Sequence, residues 1–363
     1  MKILHVITML DVGGAERLLV DLLPLLRDKG GHQVDLLVFN GVDTILKEKI
    51  KQKGIRIFEF SHGEDVKDYY KEVYDPRHII RLRKFMRGYD IIHTHNSICQ
   101  LYVAIAHSLN HSSTPLVTTE HSSNNRRRSK KWYKPIDRWM YNQYASVICI
   151  ADKPQQNLES YIGKKQNICT INNGVDVQRF IKPIKDVSNQ DKFMVTMVAG
   201  LRAEKDHETV IKAISLLPDN YHLQFVGDGV RDQELKDFTR QQSLEERVTF
   251  TGARLDVPEL LEKSDIVVLS SHWEGLSLSS IEGMASGRPF IASDVDGLRE
   301  IVGGAGVLFP HGDERELANK IQWLCEHPDE YREVAQRCQA RAQQYDISIM
   351  VEKYSDLYKS LVK

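Results

Sequence analysis

Short apolar runs, each followed by turn residues and a longer amphipathic stretch, recur along this chain of 363 residues. In the first half they read KILHVIT, HQVDLLVF, IRIFEF, DIIHTH, PLVTTEH, SVICIA and ICTINN. Continuous Val, Ile and Leu runs suit strands buried on both faces of a parallel sheet, because strict alternation is needed only where one face meets water. The rhythm breaks at GVDVQRFIKPIKDVSNQDK, a polar stretch with Pro183 that reads as a linker. It restarts with FMVTMVAG, YHLQFVGDG, VTFTGA, DIVVLSS, RPFIASD and GVLFP. Helical patterns fall near 206–217, 231–242, 257–263, 314–325 and 331–344. A terminal helix is expected over 346–363, with Ile349, Val351, Tyr354, Leu357 and Leu361 roughly on one side. The expected fold class is therefore α/β, with two successive doubly wound, Rossmann-like domains over 1–180 and 190–345. Ligands of open α/β sheets bind beyond the carboxyl ends of strands, so with two such domains the expected site is a deep cleft between them.

Composition narrows the class. Lys and Arg total 49 against 50 Asp and Glu, a net charge of −1. That balance excludes a general nucleic-acid binder, which is strongly basic, and no nucleic-acid partner is expected. Cys99, Cys149, Cys169, Cys325 and Cys338 have no CxxC spacing and mostly lie in apolar runs, so they read as core residues of a reducing compartment. MKILHVITML ends at Asp11 without a long apolar region or a small-residue cleavage site, so no signal peptide is expected. No run approaches the roughly 20 apolar residues of a membrane span. The expected location is cytoplasmic, soluble or peripheral on the inner face of the membrane.

The chemistry-bearing residues collect at strand ends. GLRAEKDHE follows a strand and brings Arg202 and Lys205 to the start of a helix, an arrangement suited to a phosphate or diphosphate. A solvated basic turn neutralised by Glu204 and Asp206 fits the same spacing. In FVGDGV, Gly227 and Gly229 permit a tight turn and a close backbone approach to a ligand, or simply a turn. EGLSLSSIEGMASGRP places Glu274 in a loop and Glu282 roughly two turns into a helix whose first N–H groups are free. The two acids read as separate hydroxyl acceptors on an elongated polar ligand, or as ordinary acids on a helix. His93 and His95 face one way on a strand, but no third metal ligand stands near them in the sequence, so no metal is expected there.

The ordered set of motifs resembles the retaining glycosyltransferases of the GT-B class, family 4 type. Glu274-x7-Glu282 resembles the family's E-x7-E signature, GLRAEKD its phosphate motif and GGAERLLVDLL its glycine loop and helix. INNGVDVQRF and SGRPFIASDVDGLREIV resemble its interdomain segment and its G-x-P block. The resemblance covers nearly the whole chain and implies two domains of the GT-B fold. The first lies on the acceptor side, with 346–363 packing back on it, and the second binds the nucleotide sugar. It implies that Arg202 and Lys205 neutralise the donor diphosphate, that Glu282 holds the ribose and that Glu274 holds the transferred sugar. Backbone N–H groups around Leu276, Ser277, Leu278 and Ser279 would bind phosphates, Gly13 and Gly14 would leave room for the donor, and Arg254 would lie near the base. His121 would bond a sugar hydroxyl and stabilise positive character at the anomeric carbon through its carbonyl. His95 would line the acceptor side. Asp294 and Asp296 mimic a metal-binding D-x-D but read as a turn, and no metal or other cofactor is expected for the chemistry. Gly283 stands where the family usually has Ala, which would loosen that helix by up to about 1 kcal/mol.

The implied activity is transfer of a sugar with retention, from a nucleotide-sugar donor, UDP-sugar favoured, to a glycan or lipid-linked acceptor in surface polysaccharide synthesis. Two alternatives remain, a nucleotide-sugar epimerase on the same fold and a catalytically inactive nucleotide-sugar-binding module. A dinucleotide oxidoreductase is disfavoured, because DVGGAE is no G-x-G-x-x-G. NNRRRSKKWYKPIDRWMYNQYA gathers Arg126, Arg127, Arg128, Lys130 and Lys131 beside Trp132, a composition suited to an anionic membrane surface or to a charged loop before a core helix.

Overall fold

The computed structural model describes residues 1–11, 13–63, 69–121, 128, 130–165 and 167–362; the side chains of residues 69, 70 and 131 lie outside the description. The chain divides into two compact units, Met1–Gly174 with Ile347–Lys363, and Val175–Asp346.

The first unit is built on β1 (Lys2–Ile7), β2 (Gln33–Asn40), β3 (Arg56–Ser61), β4 (Ile91–Thr94), β5 (Leu116–Glu120), β6 (Ser146–Cys149) and β7 (Ile168–Thr170). They form one parallel sheet in the order β3-β2-β1-β4-β5-β6-β7. Alternation along the strands feeds two cores. Ile3, Ile7, Leu36, Ile91, Val117 and Ile148 belong to one, and Leu4, Val6, Leu37, Ile92, Leu116 and Val147 to the other. Both faces are dry, which is why the strands read as unbroken apolar runs. Helices Gly14–Asp28 and Ile347–Leu361 pack on each other and share the first core. The terminal helix buries Ile347, Met350, Val351, Tyr354 and Tyr358; Val351 and Tyr354 of the expected stripe are among them, Leu357 and Leu361 pack partly buried on the same core, and Ile349 is exposed.

The second unit carries β8 (Phe193–Val198), β9 (Tyr221–Val226), β10 (Val248–Phe250), β11 (Ile266–Leu269), β12 (Phe290–Ser293) and β13 (Val307–Phe309). Its parallel sheet runs β10-β9-β8-β11-β12-β13. Strand order reverses between β1 and β4 in the first unit and between β8 and β11 in the second. Such switch points open a crevice at the carboxyl ends of the strands.

Two expectations change. The second unit begins at Val175 rather than near 190, because Val175, Val177, Phe180 and Val187 are buried in its core. Apolar residues spaced through a polar stretch had disguised a packed segment as a linker. Gly283 does not merely loosen its helix, Leu278–Ala285. A Cβ there would stand 2.6 Å from the Phe290 ring and 2.9 Å from Val267 Cγ1, both buried, so alanine would overpack the contact at a cost of about 1–3 kcal/mol.

Candidate functional site

In the second unit the loop after β8 is fastened to the end of β11. The Ser270 hydroxyl lies 3.0 Å from the Lys205 carbonyl oxygen and 2.7 Å from that of Asp206. The His272 N–H donates to the Glu204 carbonyl at 2.8 Å. Asp206 adopts the left-handed conformation (φ 50°), which a short acid tolerates, and caps helix His207–Ser215 by accepting from the Thr209 N–H and hydroxyl. This anchoring points Lys205 at β11. Its Nζ donates to Glu274 Oε1 at 2.5 Å, and the Ser271 hydroxyl donates to the same oxygen at 2.6 Å. The pair is largely enclosed, with side-chain exposures of 19% and 10%. The family resemblance implied separate tasks for Lys205 and Glu274; the switch point makes them one ion pair. Arg202, in contrast, is exposed and makes no side-chain hydrogen bond among the described residues.

The Glu274 loop is shaped by a residue the motifs did not single out. Gly297 has φ +85°, and a Cβ on it would lie 2.5 Å from the Glu274 carbonyl oxygen and 2.4 Å from that of Gly275. Asp294 and Asp296 both meet Arg299. Beyond the loop, Leu276 leads to Ser277, whose hydroxyl accepts the Ser280 N–H at 3.3 Å as the cap of helix Leu278–Ala285. Leu278 and Ser279 open that helix, and an α-helix leaves its first N–H groups without intrahelical acceptors. Glu282 is half-buried and sits one turn into the helix, not two, because the helix begins at Leu278 rather than Leu276. Cation, carboxylate and helix-terminal N–H groups thus come from one end of one sheet.

Two residues expected on the donor side have close contacts within the chain. The close approach that Gly227 permits (φ +152°) is to the chain itself, since its Cβ would meet the Ala199 carbonyl oxygen at 2.0 Å. The glycine therefore shapes the GLR loop from beneath. Arg254 is occupied at the surface, donating from Nε at 2.8 Å and from Nη2 at 2.7 Å to the two carboxylate oxygens of Asp256.

In the first unit the ends of β1 and β4 meet through Asn96, whose Nδ2 donates to the Thr8 hydroxyl at 2.7 Å. Gly14 has open space where a Cβ would be, but at Gly13 that space holds the Glu16 carboxylate. Burial raises the pKa of Glu16 above the ordinary carboxylate value. Behind them lies a cluster of imidazoles. His5 on β1 pairs in register with His93 on β4, and ring nitrogens of His5, His93 and His95 lie within 4.8 Å of one another. His5 is the third imidazole that the sequence did not place beside His-x-His; strand pairing supplies it. His93 sits 2.6 Å from the Tyr358 hydroxyl through Nδ1 and 2.8 Å from the Thr119 hydroxyl through Nε2. His5 Nδ1 lies 2.8 Å from His95 Nε2, and His95 Nδ1 lies 3.0 Å from His121 Nε2.

Burial keeps these rings neutral. It lowers the pKa of His5 to about 3 and of His121 to about 4, and takes His93 and His95 well below the ordinary value. In the second unit buried His207 is likewise lowered to about 4. The unfolded chain protonates such rings near pH 6.5. Between there and about pH 4 it therefore binds more protons than the folded chain, and stability falls as pH drops through that window. His121 alone contributes on the order of 3 kcal/mol across it. Urea midpoints are expected to fall progressively from about pH 6.5 downward, before most carboxylates titrate; a midpoint unchanged to about pH 5 would contradict the neutral cluster.

The basic aromatic segment divides. Arg126 and Arg127 lie outside the described residues, as does the Lys131 side chain. Arg128 turns inward and so is no surface contact. Its Nη2 donates to Glu120 Oε2 at 2.6 Å, with side-chain exposures of 9% and 7%. Glu120 Oε1 also accepts from the Tyr141 hydroxyl at 2.7 Å and from Gln100 Nε2 at 2.6 Å. Lys130 and Trp132 are exposed, and Trp132, Ile136 and Trp139 form an exposed apolar stripe at helical spacing. No helix among the described residues is long and apolar enough to cross a membrane.

Residues 12–179 match the family described as Glycosyltransferase Family 4, and residues 178–345 the family described as Glycosyl transferases group 1. The chain is 30% identical over 247 residues to the Escherichia coli UDP-Gal:alpha-D-GlcNAc-diphosphoundecaprenol alpha-1,3-galactosyltransferase, covering 61% of this chain and 63% of that one. It is 25% identical over 370 residues to a Campylobacter jejuni alpha-1,4-N-acetyl-D-galactosaminyltransferase acting on a diNAcBac-PP-undecaprenol-linked glycan, covering 98% of each. The crystal structure of Anabaena HepE in complex with UDP-glucose superposes with a TM-score of 0.83 at 24% identity, over 99% of this chain and 100% of that one. With one family match on each half and this fold, the chain belongs to the GT-B glycosyltransferases of family 4 type.

Proposed function

We propose that this glycosyltransferase moves a hexose-type sugar from a UDP-sugar to a lipid-linked glycan with retention of configuration and without a metal. The observation that carries the reading is the enclosed Lys205–Glu274 pair beside the amino-terminal turn of Leu278–Ala285. Cations and helix N–H groups suit a diphosphate, and carboxylates suit sugar hydroxyls. In this reading Arg202 and Lys205 take up negative charge as the bond from sugar to diphosphate breaks, which is where fixed charge lowers a barrier. In this reading they supply the positive charge, and no metal is needed for it. Glu274 binds the transferred sugar, Glu282 the ribose, and His121 a sugar hydroxyl. The undecaprenol-linked substrates in the two relatives' names support the acceptor class, and the UDP-Gal of one name with the UDP-glucose bound to HepE supports the donor.

Calorimetric titration with UDP, GDP and ADP in EDTA tests the donor. UDP is expected to bind, and Glu282→Ala to weaken it roughly 10- to 150-fold, the worth of a charged hydrogen bond. No binding of any nucleotide by the folded protein would sink the donor assignment. The anomeric configuration of the product, read by NMR, tests retention.

The stripe of Trp132, Ile136 and Trp139 beside exposed Lys130 and Arg138 is proposed to rest on an anionic membrane at the cytoplasmic face, where a lipid-linked acceptor is found. The five free cysteines support a reducing compartment. Co-sedimentation with phosphatidylglycerol vesicles should exceed that with phosphatidylcholine and fall when Trp132 and Trp139 are both replaced by alanine. Equal partition onto both lipids would count against it.

A further inference from the structure

Two imidazoles and a carboxylate of the second unit converge from three strand ends. Asp206 closes the loop after β8, His272 stands three residues beyond β11, and His311 two beyond β13. One ligand atom of each lies within 4.8 Å of the other two. His272 Nδ1 is the hub, 2.5 Å from His311 Nε2 and 3.9 Å from Asp206 Oδ2. The two rings meet edge to face, at 76°.

Hydrogen bonding accounts for only half of this cluster. An imidazole nitrogen offers one N–H or one lone pair, so His272 Nδ1 can serve His311 or Asp206 but not both. At 3.9 Å the carboxylate is beyond hydrogen-bond reach of it. One divalent cation would take a lone pair from all three. Ligand atoms about 2.0–2.2 Å from a tetrahedral zinc ion stand roughly 3.4 Å apart. Reaching that spacing means parting the two rings and drawing in the carboxylate by shifts on the order of 1 Å. His272 and His311 are exposed, so they can turn that far and an ion can reach them.

Asp206 is already held as a ligating carboxylate is held. Its Oδ2 accepts the Thr209 hydroxyl at 2.7 Å and its Oδ1 the Thr209 N–H at 3.4 Å. A carboxylate accepts about four bonds, so those two leave room for a metal. Two imidazoles with one carboxylate select an ion of the zinc class over magnesium or calcium, which prefer oxygen alone. Three protein ligands leave a fourth position for water. The other convergence of imidazoles, His5, His93 and His95, is buried, and Tyr358 and Thr119 take both nitrogens of His93, so it offers no such site.

We propose that Asp206, His272 and His311 bind one divalent ion of the zinc class, which ties the loop carrying Lys205 to the ends of β11 and β13. The ion is a clamp and not a reactant. The site rests on this geometry alone and not on the sugar-transfer reading.

The test uses the full chain, stripped with EDTA and exchanged into chelator-free buffer. Zinc chloride is titrated by calorimetry, and cobalt(II) chloride is followed by visible absorption. The expected result is one ion per chain with a Kd in the micromolar range or below, and the intense cobalt spectrum of a four-coordinate centre. Magnesium chloride at the same concentrations should give no binding. His272→Ala and His311→Ala should each weaken zinc at least as much as the about 10- to 100-fold lost with an outer-shell partner. Asp206→Asn, which keeps the helix cap, should weaken it as well. Saturating zinc should raise the Tm of the wild type and leave that of His311→Ala unmoved. No zinc binding, several weak sites without the cobalt spectrum, binding undiminished in both histidine variants, or magnesium binding as tight as zinc overturns the proposal. No nucleotide and no turnover enter these readings, so failure of the metal site and failure of the proposed activity are separate results.

Discussion

Replacing Lys205 with alanine is expected to lower kcat for sugar transfer by about 10²- to 10³-fold, the usual loss when one fixed donor to a developing negative charge is removed. In the proposed reading the ammonium is already held in place for that task. Ser270 and His272 fasten the loop carrying it, Asp206 caps the helix behind it, and Glu274 holds its Nζ at 2.5 Å. A rival explanation is that Lys205 serves only to neutralise a largely enclosed Glu274. UDP binding by Lys205→Ala, measured by calorimetry, separates the two. If Lys205 were only a counterion to Glu274, UDP would bind with unchanged affinity; if it also meets the diphosphate, UDP binding weakens with the loss of kcat. Thermal unfolding should also shift downward in the single variant, because Glu274 is 10% exposed and would keep only the Ser271 hydroxyl as a donor. A kcat within about five-fold of wild type would remove Lys205 from the chemistry.

The second large effect is on stability. Arg128→Ala is expected to destabilise the first unit by about 3–5 kcal/mol, the cost of leaving one partner of a buried ion pair uncompensated. Glu120 would keep its bonds from Tyr141 and Gln100 but would remain a buried charge without a cation. Adding Glu120→Gln should recover much of the loss, because the stranded charge is then gone. Urea unfolding of the three proteins gives the measurement. A loss below about 1 kcal/mol would instead mark an exposed pair. Binding to phosphatidylglycerol vesicles should follow Trp132 and Trp139 rather than Arg128, which separates the inward arginine from its outward neighbours.

These two residues show the reach of the sequence from opposite sides. Lys205 was legible because a cation after a strand and before a helix stands at the carboxyl end of a sheet whatever the rest of the fold does. Arg128 lies among five other basic residues between Arg126 and Lys134, so composition assigns it to the surface. Glu120, at the end of the preceding strand, together with Tyr141, draws it inward.

The sequence by itself determined the α/β class, the strands, the order of the elements and the strand-end loops that carry Arg202, Lys205, Glu274 and Glu282. Apolar periodicity and turn residues act within about ten neighbours along the chain, so they can be read in one dimension. Only the tertiary structure decided what depends on two strands lying side by side. Lys205 and Glu274 are 69 residues apart and become an ion pair through the reversal of strand order between β8 and β11. His5 and His93 face each other because β1 pairs with β4 in one register. Gly297 and Gly283 matter for what a Cβ would strike, the Glu274 backbone in one case and the Phe290 ring in the other. Register, ion pairing and steric exclusion act through space, and a linear pattern of residue types does not record which distant segment will arrive.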